Sequence, residues 1–508
     1  MFKKVFNVDT RSLGIFRILF GTLFLIDILD RLQNFRAHFT DFGVLPIEFS
    51  RQIVTRGQNG FDVVESAIRS LNMVSGSSLW QILVFSLFIG AAICFIIGYK
   101  TRWANLGCWI ASISIANASV LMIYPADYLF TSGFLASLFL PLGASFSMDS
   151  TVRNQTSAVA TRVSGWATTP MFFMLFFFMF TAGICKRDDS WFDGTAVKNV
   201  MMNSQYATPL REFLLPFDGF MSLMTYMTLV IEIGGPFLMF LTLWGGRVRA
   251  FGTVAKIGFL LSVRLFVHSQ NLSFVLAAAF VAMLPTAFWN FLIQRFDKLK
   301  DKIPSTLDSE VVVTGWKKNA VMACAIAFLI MTFTLEWNRA NKMKYPLGEI
   351  PIPSFLQPLI SVARLENNNF LFASTRKLQD GWVVVQAKTK AGRTVDLVSG
   401  QPNDLSFDSR NDIASLDLRW RRYYYYTFLT RISDKKPIAQ LRHLYAQYYC
   451  RKWSEENPTD PIEDEVEVIR MDFVTKEGEL IASDGKESWR QSFSCQAAVT
   501  LAATQPSP

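Results

Sequence analysis

The feature that most constrains this sequence is a series of long apolar runs that recur up to about residue 336. A helix needs roughly 17–25 predominantly apolar residues to cross a bilayer. About nine runs reach this length: 13–32, 78–98, 103–124, 128–148, 166–185, 215–243, 250–267, 271–292 and 318–336. They predict a polytopic α-helical membrane bundle. The charged fraction of 18% supports this interpretation, since soluble domains carry about a quarter.

Basic residues at the ends of these runs predict the orientation of the bundle. Cytoplasmic loops of membrane proteins are enriched in Lys and Arg. If the amino terminus is cytoplasmic, the even-numbered connections are cytoplasmic too, and each of them is basic. Their basic residues are Lys100 and Arg102; Arg153 and Arg162; Arg247 and Arg249; and Arg295, Lys298, Lys300, Lys302, Lys317 and Lys318. An odd number of spans places the chain after about Asn338 outside. Because the basic residues lie at the ends of the apolar runs and set the orientation, the net charge of +9 does not indicate a nucleic acid partner.

The pattern changes after residue 338, which predicts a membrane domain over 1–338 and an extracytoplasmic β-rich domain over 339–508. Short apolar runs at 381–385, 423–428 and 465–473 alternate with turns at 390–392 and 476–478, which is typical of a strand-rich domain. One helix is predicted over about 437–452, where apolar residues share one helical face.

Cysteine usage predicts one disulfide bond. Of the six cysteines, only Cys450 and Cys495 fall in the predicted outer domain. Oxidising compartments favour disulfides, so we expect these two to be bonded; the alternative is a pair of buried free thiols. No Cys/His spacing indicates a zinc site, and we predict no metal.

Charged residues inside the apolar runs need a partner, because an unpaired charge in a membrane is costly. Asp27 and Arg31 lie one helical turn apart and are positioned to pair. We expect a structural charge network of Arg17, Asp27 and Glu232, with Arg17 and Glu232 as long-range partners. The alternative is that Glu232 tunes a polar cavity.

Lys186 follows an unusually aromatic run, 172–180, and precedes Trp191. A lysine at the end of an apolar helix commonly extends its amine to the membrane surface. Alternatively, apolar surroundings favour a neutral amine, which serves as a general base, and Trp191 lines a pocket for a flat apolar substrate. His38 and His268 are predicted on the same outer side, either as packing histidines or as part of a site.

Five segments form a wider pattern. They are Asp9 with 13–21 and Asp27; 41–46; Lys186 with Trp191, Gly194 and Ala196; Glu232 ahead of a basic turn; and 380–382 with 448–453. Together they resemble the vitamin K-dependent gamma-carboxylase-like family, whose membrane module is the HTTM (horizontally transferred transmembrane) domain. The resemblance implies that Lys186 is the base that deprotonates a reduced quinone, which then reacts with oxygen before carbon dioxide adds to a glutamate.

Two positions differ from the carboxylase pattern. Pro125-Ala126-Asp127 occupies the turn where carboxylases carry an Asn-His pair, and Arg264 takes the place of a histidine, with His268 one turn later as a substitute. We therefore predict Lys186 and His268 as catalytic residues. The predicted substrate-binding residues are Trp191, His38, Asp127 and Arg264.

Two functions are compatible with the sequence. One is a quinol-dependent oxygenase or carboxylase-like enzyme with its site at the outer membrane face. The other is a non-catalytic membrane scaffold that binds a protein or peptide partner through its outer domain. We expect either one in a bacterial cytoplasmic membrane, although an endoplasmic reticulum location also fits. A transporter is not favoured, because the sequence has no inverted repeat.

Overall fold

A computed structural model describes residues 2–54, 69–154, 160–203, 206, 208–269, 271–296, 307–311, 316–342, 348–365, 372–373, 381–402, 405–406, 417–429, 436–474 and 484–496. The helices are α1 Phe2–Val5, α2 Thr10–Gln33, α3 Phe35–Phe39, α4 Ile47–Val54, α5 Ser78–Ile97, α6 Thr101–Ala118, α7 Pro125–Ser137, α8 Met148–Asn154, α9 Thr169–Ile184, α10 Asp189–Phe192, α11 Ala196–Met202, α12 Arg211–Leu214, α13 Asp218–Ile233, α14 Arg247–Phe266, α15 Leu272–Val281, α16 Thr286–Arg295, α17 Trp316–Lys342, α18 Gln357–Val362, α19 Leu418–Tyr424 and α20 Lys436–Glu456. The strands are β1 Asn7–Asp9, β2 Ala160–Ser164, β3 Leu307–Val311, β4 Gly381–Thr389, β5 Thr394–Asp396, β6 Ile462–Val474 and β7 Asp484–Ser494. The basic residues at 298–302, Asp380 and the predicted turn at 476–478 lie outside the described residues.

Within the described ranges, four helical segments are long and apolar enough to cross a bilayer: Thr10–Gln33, Ser78–Ile97, Asp218–Phe240 and Lys317–Lys342. The pair α15 and α16 is bent by 89° and makes a fifth span if the two helices cross together. The predicted number of about nine spans is therefore not supported. The coarser prediction, a helical bundle with several apolar spans, is confirmed.

The remaining apolar runs fold into helices that are short or polar. α9 has 16 residues, and α7 has 13. α6 has 18 residues but carries the buried amides of Asn105 and Asn117, and α14 carries Arg247, Arg249, Lys256 and Arg264. Apolar content alone overestimates the number of spans, because a helix buried against other helices is as apolar as one that faces lipid.

Local sequence explains where the helices begin and break. The Asp9 carboxylate accepts a hydrogen bond from the Arg11 backbone N–H at 2.9 Å and caps α2. Ser77 caps α5 in the same way through the Trp80 N–H. α13 ends at Ile233, and the chain continues through Gly234 into a 3-10 turn, Gly235–Phe240, with Pro236 in its first turn. Proline cannot donate to the helical ladder, so the apolar run is interrupted there.

A small sheet that the sequence did not predict lies at the amino-terminal end of α2. Its order is β1-β2-β3, with β1 and β2 antiparallel and β2 and β3 parallel. Arg249 of α14 donates to the backbone carbonyl of Asn7 at 2.9 Å and also to that of Val5. Sequence pattern misses such short strands because each pairs only with a distant segment.

The carboxyl-terminal region contains an antiparallel four-stranded sheet, with order β5-β4-β6-β7. This confirms a β-sheet region at this end of the chain. The runs at 381–385 and 465–473 lie in β4 and β6, and the predicted helix corresponds to α20. One prediction is wrong: the run at 423–428 is not a strand but the end of α19 and a π-helical turn, Tyr425–Leu429. Its rings pack against α20, where Tyr423 lies 6.0 Å from Tyr445 between centroids.

The predicted disulfide bond between Cys450 and Cys495 is present. Cys450 lies on α20, and Cys495 directly follows β7. The bond therefore joins the helix of this region to the edge strand of its sheet. The other four cysteines, Cys94, Cys108, Cys185 and Cys324, are free thiols.

The carboxyl-terminal region contacts the end of α2 that lies opposite the amino-terminal sheet. α2 has 24 residues and is about 36 Å long at 1.5 Å per residue. Beyond its carboxyl end, Asn34 accepts a hydrogen bond from the Trp420 indole at 3.2 Å. The two ends of the chain thus pack on opposite ends of this helix.

Candidate functional site

A cavity of about 340 Å³ lies among α9, α13, α14 and α15. Its walls are mainly methionine and aromatic side chains, among them Met179, Met201, Met221, Met224, Phe259 and Phe266. Small-molecule sites typically measure roughly 300–1,000 Å³ and are largely apolar with a few polar groups. Methionine adapts its shape readily, so these walls suit a bulky apolar ligand.

Lys186 supplies a charge to this apolar cavity. The residue follows α9 directly, and only 5% of it is exposed. Its Nζ donates to Glu232 Oε2 at 2.5 Å and to the Ala182 carbonyl at 3.2 Å. Lys186, Ala182 and Glu232 all line the cavity. Lys186 therefore does not extend to a membrane surface but forms a largely buried ion pair across two helices.

Gly183 explains how the two helices approach closely enough for this pair. A Cβ at Gly183 would lie 2.7 Å from the side chain of Ile233 and 3.0 Å from the Cβ of Glu232. These distances are shorter than a normal van der Waals contact, so any larger residue would push α9 away from α13. Gly183, one turn before Lys186, therefore allows α9 and α13 to approach closely enough for the ion pair to form.

Trp191 forms a wall of the same cavity. It is 2% exposed, and the centre of its ring lies 5.1 Å from the Lys186 Nζ, within the range of a cation–π contact. Its indole N–H donates to the Phe372 carbonyl at 2.8 Å. Phe372 also lines the cavity, so a segment that follows the membrane helices helps to hold the ring in place.

Arg339 is a cavity residue that the sequence analysis missed. It lies near the end of α17, lines the cavity and pairs with Glu336 at 3.1 Å. The available signal was the Glu336-Trp337-Asn338-Arg339 spacing, since charges three residues apart share a helix face. The bundle therefore contributes a second buried ion pair near the Lys186–Glu232 pair.

His268 and Arg264 lie beside the cavity without lining it. The neighbours of His268, Val267 and Ser269, are both in the cavity wall. The His268 backbone N–H donates to the Tyr206 carbonyl at 2.9 Å. Burial, followed by the charges of Arg421 and Arg264, lowers the pKa of His268 to about 4. Its imidazole is therefore neutral at physiological pH.

Asp127 lies in a buried charge cluster, which we call the quartet: Asp27, Arg31, Asp127 and Arg419. Arg31 pairs with Asp27 at 2.8 Å and also with Asp127. Arg419 of α19 reaches Asp27 at 2.5 Å and Asp127 at 2.6 Å. The two carboxylates outweigh the effect of burial and raise the pKa of Arg419 above its usual value. The quartet is electrically neutral and joins the carboxyl-terminal region to the bundle.

His38 packs beside the quartet rather than in the cavity. It is 1% exposed, and its ring lies edge-on to Trp420 with centroids 4.7 Å apart. Neither ring nitrogen has a hydrogen-bond partner among the described residues. Burial, with the charges of Arg31 and Arg419, lowers the pKa of His38 to about 3. His38 is therefore a neutral packing residue at physiological pH.

Arg17 and Glu232 are not brought together. Arg17 donates to the Leu142 carbonyl at 3.3 Å and to the Phe146 carbonyl, whereas Glu232 pairs with Lys186.

The structure places the six predicted catalytic and substrate-binding residues in two groups. Lys186 and Trp191 line the cavity with His268 and Arg264 at its margin, while His38 and Asp127 lie at the quartet. In the described part of the chain, no cluster of three or more His, Cys, Asp or Glu could hold a metal ion.

The sequence profile of the HTTM domain matches residues 6–286, more than half of the chain. The chain belongs to the HTTM domain family. A search of the curated proteins and a search of the solved structures each find no match. With its apolar helices, this family membership indicates a membrane protein. The HTTM match contains Lys186, Trp191 and Glu232, whereas Arg339 and Arg419 follow it.

Proposed function

We propose that this HTTM protein binds a reduced quinone in the cavity and deprotonates it, as the resemblance to vitamin K-dependent gamma-carboxylase-like proteins implies. The observation that carries the proposal is the buried Lys186–Glu232 pair beside Trp191 in an otherwise apolar cavity. A flat aromatic ligand with a hydroxyl group matches these walls, because it presents an apolar ring to Met and Trp side chains and one polar group to Lys186.

The residues present fit such a ligand. Lys186 has three N–H donors, of which one is directed to Glu232 and one to the Ala182 carbonyl. The third is available to a ligand oxygen in the cavity. Trp191 offers a ring face whose position is held by the Phe372 carbonyl. A bound hydroquinone would supply two electrons for a reaction with oxygen, together with an ionisable hydroxyl.

The role of Lys186 is that of a base. Once its own proton has left to solvent, the neutral Nζ accepts the proton of a ligand hydroxyl: the O–H bond breaks, an N–H bond forms and the electron pair stays on the ligand oxygen. The resulting ammonium stabilises the new oxyanion. Apolar walls strengthen this charge interaction, because the local dielectric is low.

The geometry favours oxidation of a quinol over carboxylation of glutamate. Asp127, in the turn where carboxylases carry an Asn-His pair, is ion-paired with Arg31 and Arg419 and does not line the cavity. Neither Arg264 nor His268 lines it. The groups expected to serve a second substrate are therefore absent from the cavity wall, whereas the Lys186 pair is in place.

We place the cavity at the outer face of a bacterial cytoplasmic membrane. Pro125 lines the cavity, and Asp127, two residues further on, pairs with Arg419, which also reaches the carboxyl-terminal half of α2, so the cavity and the quartet lie towards one end of the bundle. Arg249 and the basic amino-terminal segment lie towards the other end. Enrichment of basic residues on the cytoplasmic side supports this orientation.

The test is binding and turnover of menadiol, the reduced form of 2-methyl-1,4-naphthoquinone, by purified protein. We expect saturable binding and oxygen-dependent formation of the epoxide. Lys186→Met should abolish turnover, because no amine remains to accept the proton. Lys198→Met is the matched control, because Lys198 pairs with Asp218 at the surface and does not line the cavity. Equal activity in Lys186→Met and wild-type protein would refute the proposal.

A scaffold function is the second candidate, favoured by the quartet that anchors the carboxyl-terminal region to the bundle. Such an anchor would hold a partner-binding domain at a defined height above the membrane. This candidate predicts no menadiol binding, together with a stable protein or peptide partner that co-purifies and is lost when residues 381–496 are deleted.

A further inference from the structure

An aromatic bridge covers one end of the cavity. Its centre is Phe372, which follows α17 in sequence. The Phe372 carbonyl accepts the Trp191 indole N–H at 2.8 Å, and the Phe372 ring lies 4.8 Å from the Tyr206 ring. The Tyr206 carbonyl accepts the His268 backbone N–H at 2.9 Å. A ligand that arrived from the aqueous side at this end would have to displace the bridge.

The other walls of the cavity differ in how far they are exposed. Four lining residues, which we call the floor, are buried: Met179, Trp191, Met201 and Leu276. They face the cavity and still have almost no exposed surface, so the cavity-facing surface alone adds little to exposure. Met227 of α13 lines the same cavity but is 42% exposed. Its exposed surface therefore lies on the outside of the bundle, and a single side chain separates the cavity from the surroundings of α13.

The surroundings of Met227 are apolar. Met227 lies near the middle of the candidate span Asp218–Phe240, and on the same helix Leu223 and Val230 are large, exposed apolar side chains. Apolar residues exposed in the middle of a membrane-spanning helix face the hydrocarbon of the bilayer. The thin wall at Met227 therefore lies between the cavity and lipid.

Helix packing allows this wall to move. α13 packs against α9 and α11, whereas α14 packs against α15, and the turn Gly235–Phe240 joins α13 to α14. From α14, the partly exposed side chains of Phe259 and Val263 line the cavity. Methionine is unbranched and flexible, and exposed side chains change rotamer rapidly. A change of rotamer at Met227 is therefore enough to open the wall without unfolding a helix.

We infer that the cavity receives its ligand sideways from the bilayer, past Met227, which acts as the gate. The ligand class is an apolar aromatic molecule dissolved in the membrane, because the gate opens to hydrocarbon and the walls behind it are methionine and aromatic side chains. The inference goes beyond the proposed function, since it concerns the route into the cavity and holds for any such molecule.

The experiment is photolabelling of the full-length protein in liposomes. The probe is an iodophenyl trifluoromethyl diazirine, a small apolar aromatic that dissolves in the bilayer, and mass spectrometry identifies the labelled residues. Glutathione in the aqueous phase removes probe that arrives through water. We expect the floor to be labelled in the presence of glutathione, because its residues are buried and the probe reaches them only through the cavity. Leu261, which is exposed on α14, is the internal standard for labelling from lipid.

Variants at the gate change its size in both directions. Met227→Trp should lower labelling of the floor severalfold relative to Leu261, because the larger side chain narrows the opening. Met227→Ala should raise it, and this variant decides the result alone if Met227→Trp does not fold. Leu223→Trp is the matched control, because Leu223 lies one turn away on the same helix and does not line the cavity; it should leave labelling of the floor unchanged.

Three results would overturn the inference. One is an unlabelled floor in wild-type protein in which Leu261 is labelled. Another is loss of floor labelling when glutathione is added, which would show that the route is aqueous and passes the Phe372 bridge. The third is equal labelling of the floor in wild-type protein and in the folded Met227 variants.

A binding measurement separates this inference from the proposed function. If wild-type protein in liposomes binds menadiol, Met227→Trp should slow menadiol association severalfold, whereas Leu223→Trp should not. If wild-type protein does not bind menadiol, the proposed function fails, while the photolabelling still decides whether the cavity opens to lipid.

Discussion

Replacing Arg419 with methionine removes the cation through which the carboxyl-terminal region enters the quartet. In the wild-type protein the Arg419 guanidinium lies 2.5 Å from Asp27 Oδ1 and 2.6 Å from Asp127 Oδ2. It also donates to the Met122 carbonyl at 2.8 Å, and its side chain is 1% exposed. The substitution leaves Asp27 and Asp127 with Arg31 as their remaining partner in the quartet.

The expected loss of stability is large because the pair is buried. Removing one partner of a buried ion pair costs about 3–5 kcal/mol, since the remaining charge is neither paired nor solvated. Methionine has a similar volume, so the lost ion pair accounts for most of this cost. Arg490→Met is the matched control. Arg490 is 38% exposed and pairs with Glu467 and Glu487, and exposed pairs contribute about 0–1 kcal/mol.

The assay is pulse proteolysis in detergent over a urea series, which gives the free energy of unfolding of each variant. Arg419→Met with Asp127→Asn should be less destabilised than the sum of the single changes, because Arg31 and Asp27 then form a neutral pair. We expect a coupling of about 1–3 kcal/mol. Equal stability of Arg419→Met and Arg490→Met, or a coupling near zero, would refute the structural role of the quartet.

Three further predictions concern other parts of the molecule. Since the folded-state pKa of His38 is about 3 and its unfolded value is about 6.5, the unfolded state binds more protons between these values. His38 therefore contributes about 1.4 kcal/mol less stability per pH unit as the pH falls through this window; thermal unfolding from pH 7 to pH 4 should show a shallower decline for His38→Leu. Replacing Cys450 and Cys495 with serine should destabilise the carboxyl-terminal region by about 2–4 kcal/mol, measured as hydrogen exchange in α20 and β7, and unchanged exchange would contradict this. Trp191→Phe should weaken menadiol binding, because phenylalanine cannot donate to the Phe372 carbonyl, whereas unchanged affinity in a titration would remove Trp191 from the site.

The sequence was sufficient for features that depend on local pattern. Apolar runs predicted the membrane helices, and the short apolar runs at 381–385 and 465–473, separated by turn residues, predicted strands, because both patterns are local in sequence. The number of membrane spans could not be predicted from the sequence. α7 and α9 are as apolar as a span, and sequence alone does not say whether a helix meets lipid or protein.

The candidate site shows the same limit. Lys186 and Trp191 are close in sequence, and their shared pocket was predicted. Glu232 was assigned to Arg17 because both were expected to be buried, yet the two form separate contacts and Glu232 pairs with Lys186. Which buried charges meet depends on helix packing, and no local rule encodes that.

The quartet illustrates how tertiary contacts override local preference. The run at 423–428 is rich in tyrosine, which favours strands when judged locally. In the structure it follows Arg419 in α19, whose guanidinium is held by Asp27 and Asp127. These partners are nearly 300 residues or more away along the chain, so the sequence carries no nearby signal for the helix.

An electron cryo-microscopy structure of the protein with menadiol would show whether the cavity binds a quinol beside Lys186. We expect density for a flat ring in the cavity, packed against Trp191, with one oxygen within hydrogen-bond distance of Lys186 Nζ, and loss of this density in Lys186→Met. A saturated sample in which the cavity holds no ring, or in which the ring binds away from Lys186, would contradict it.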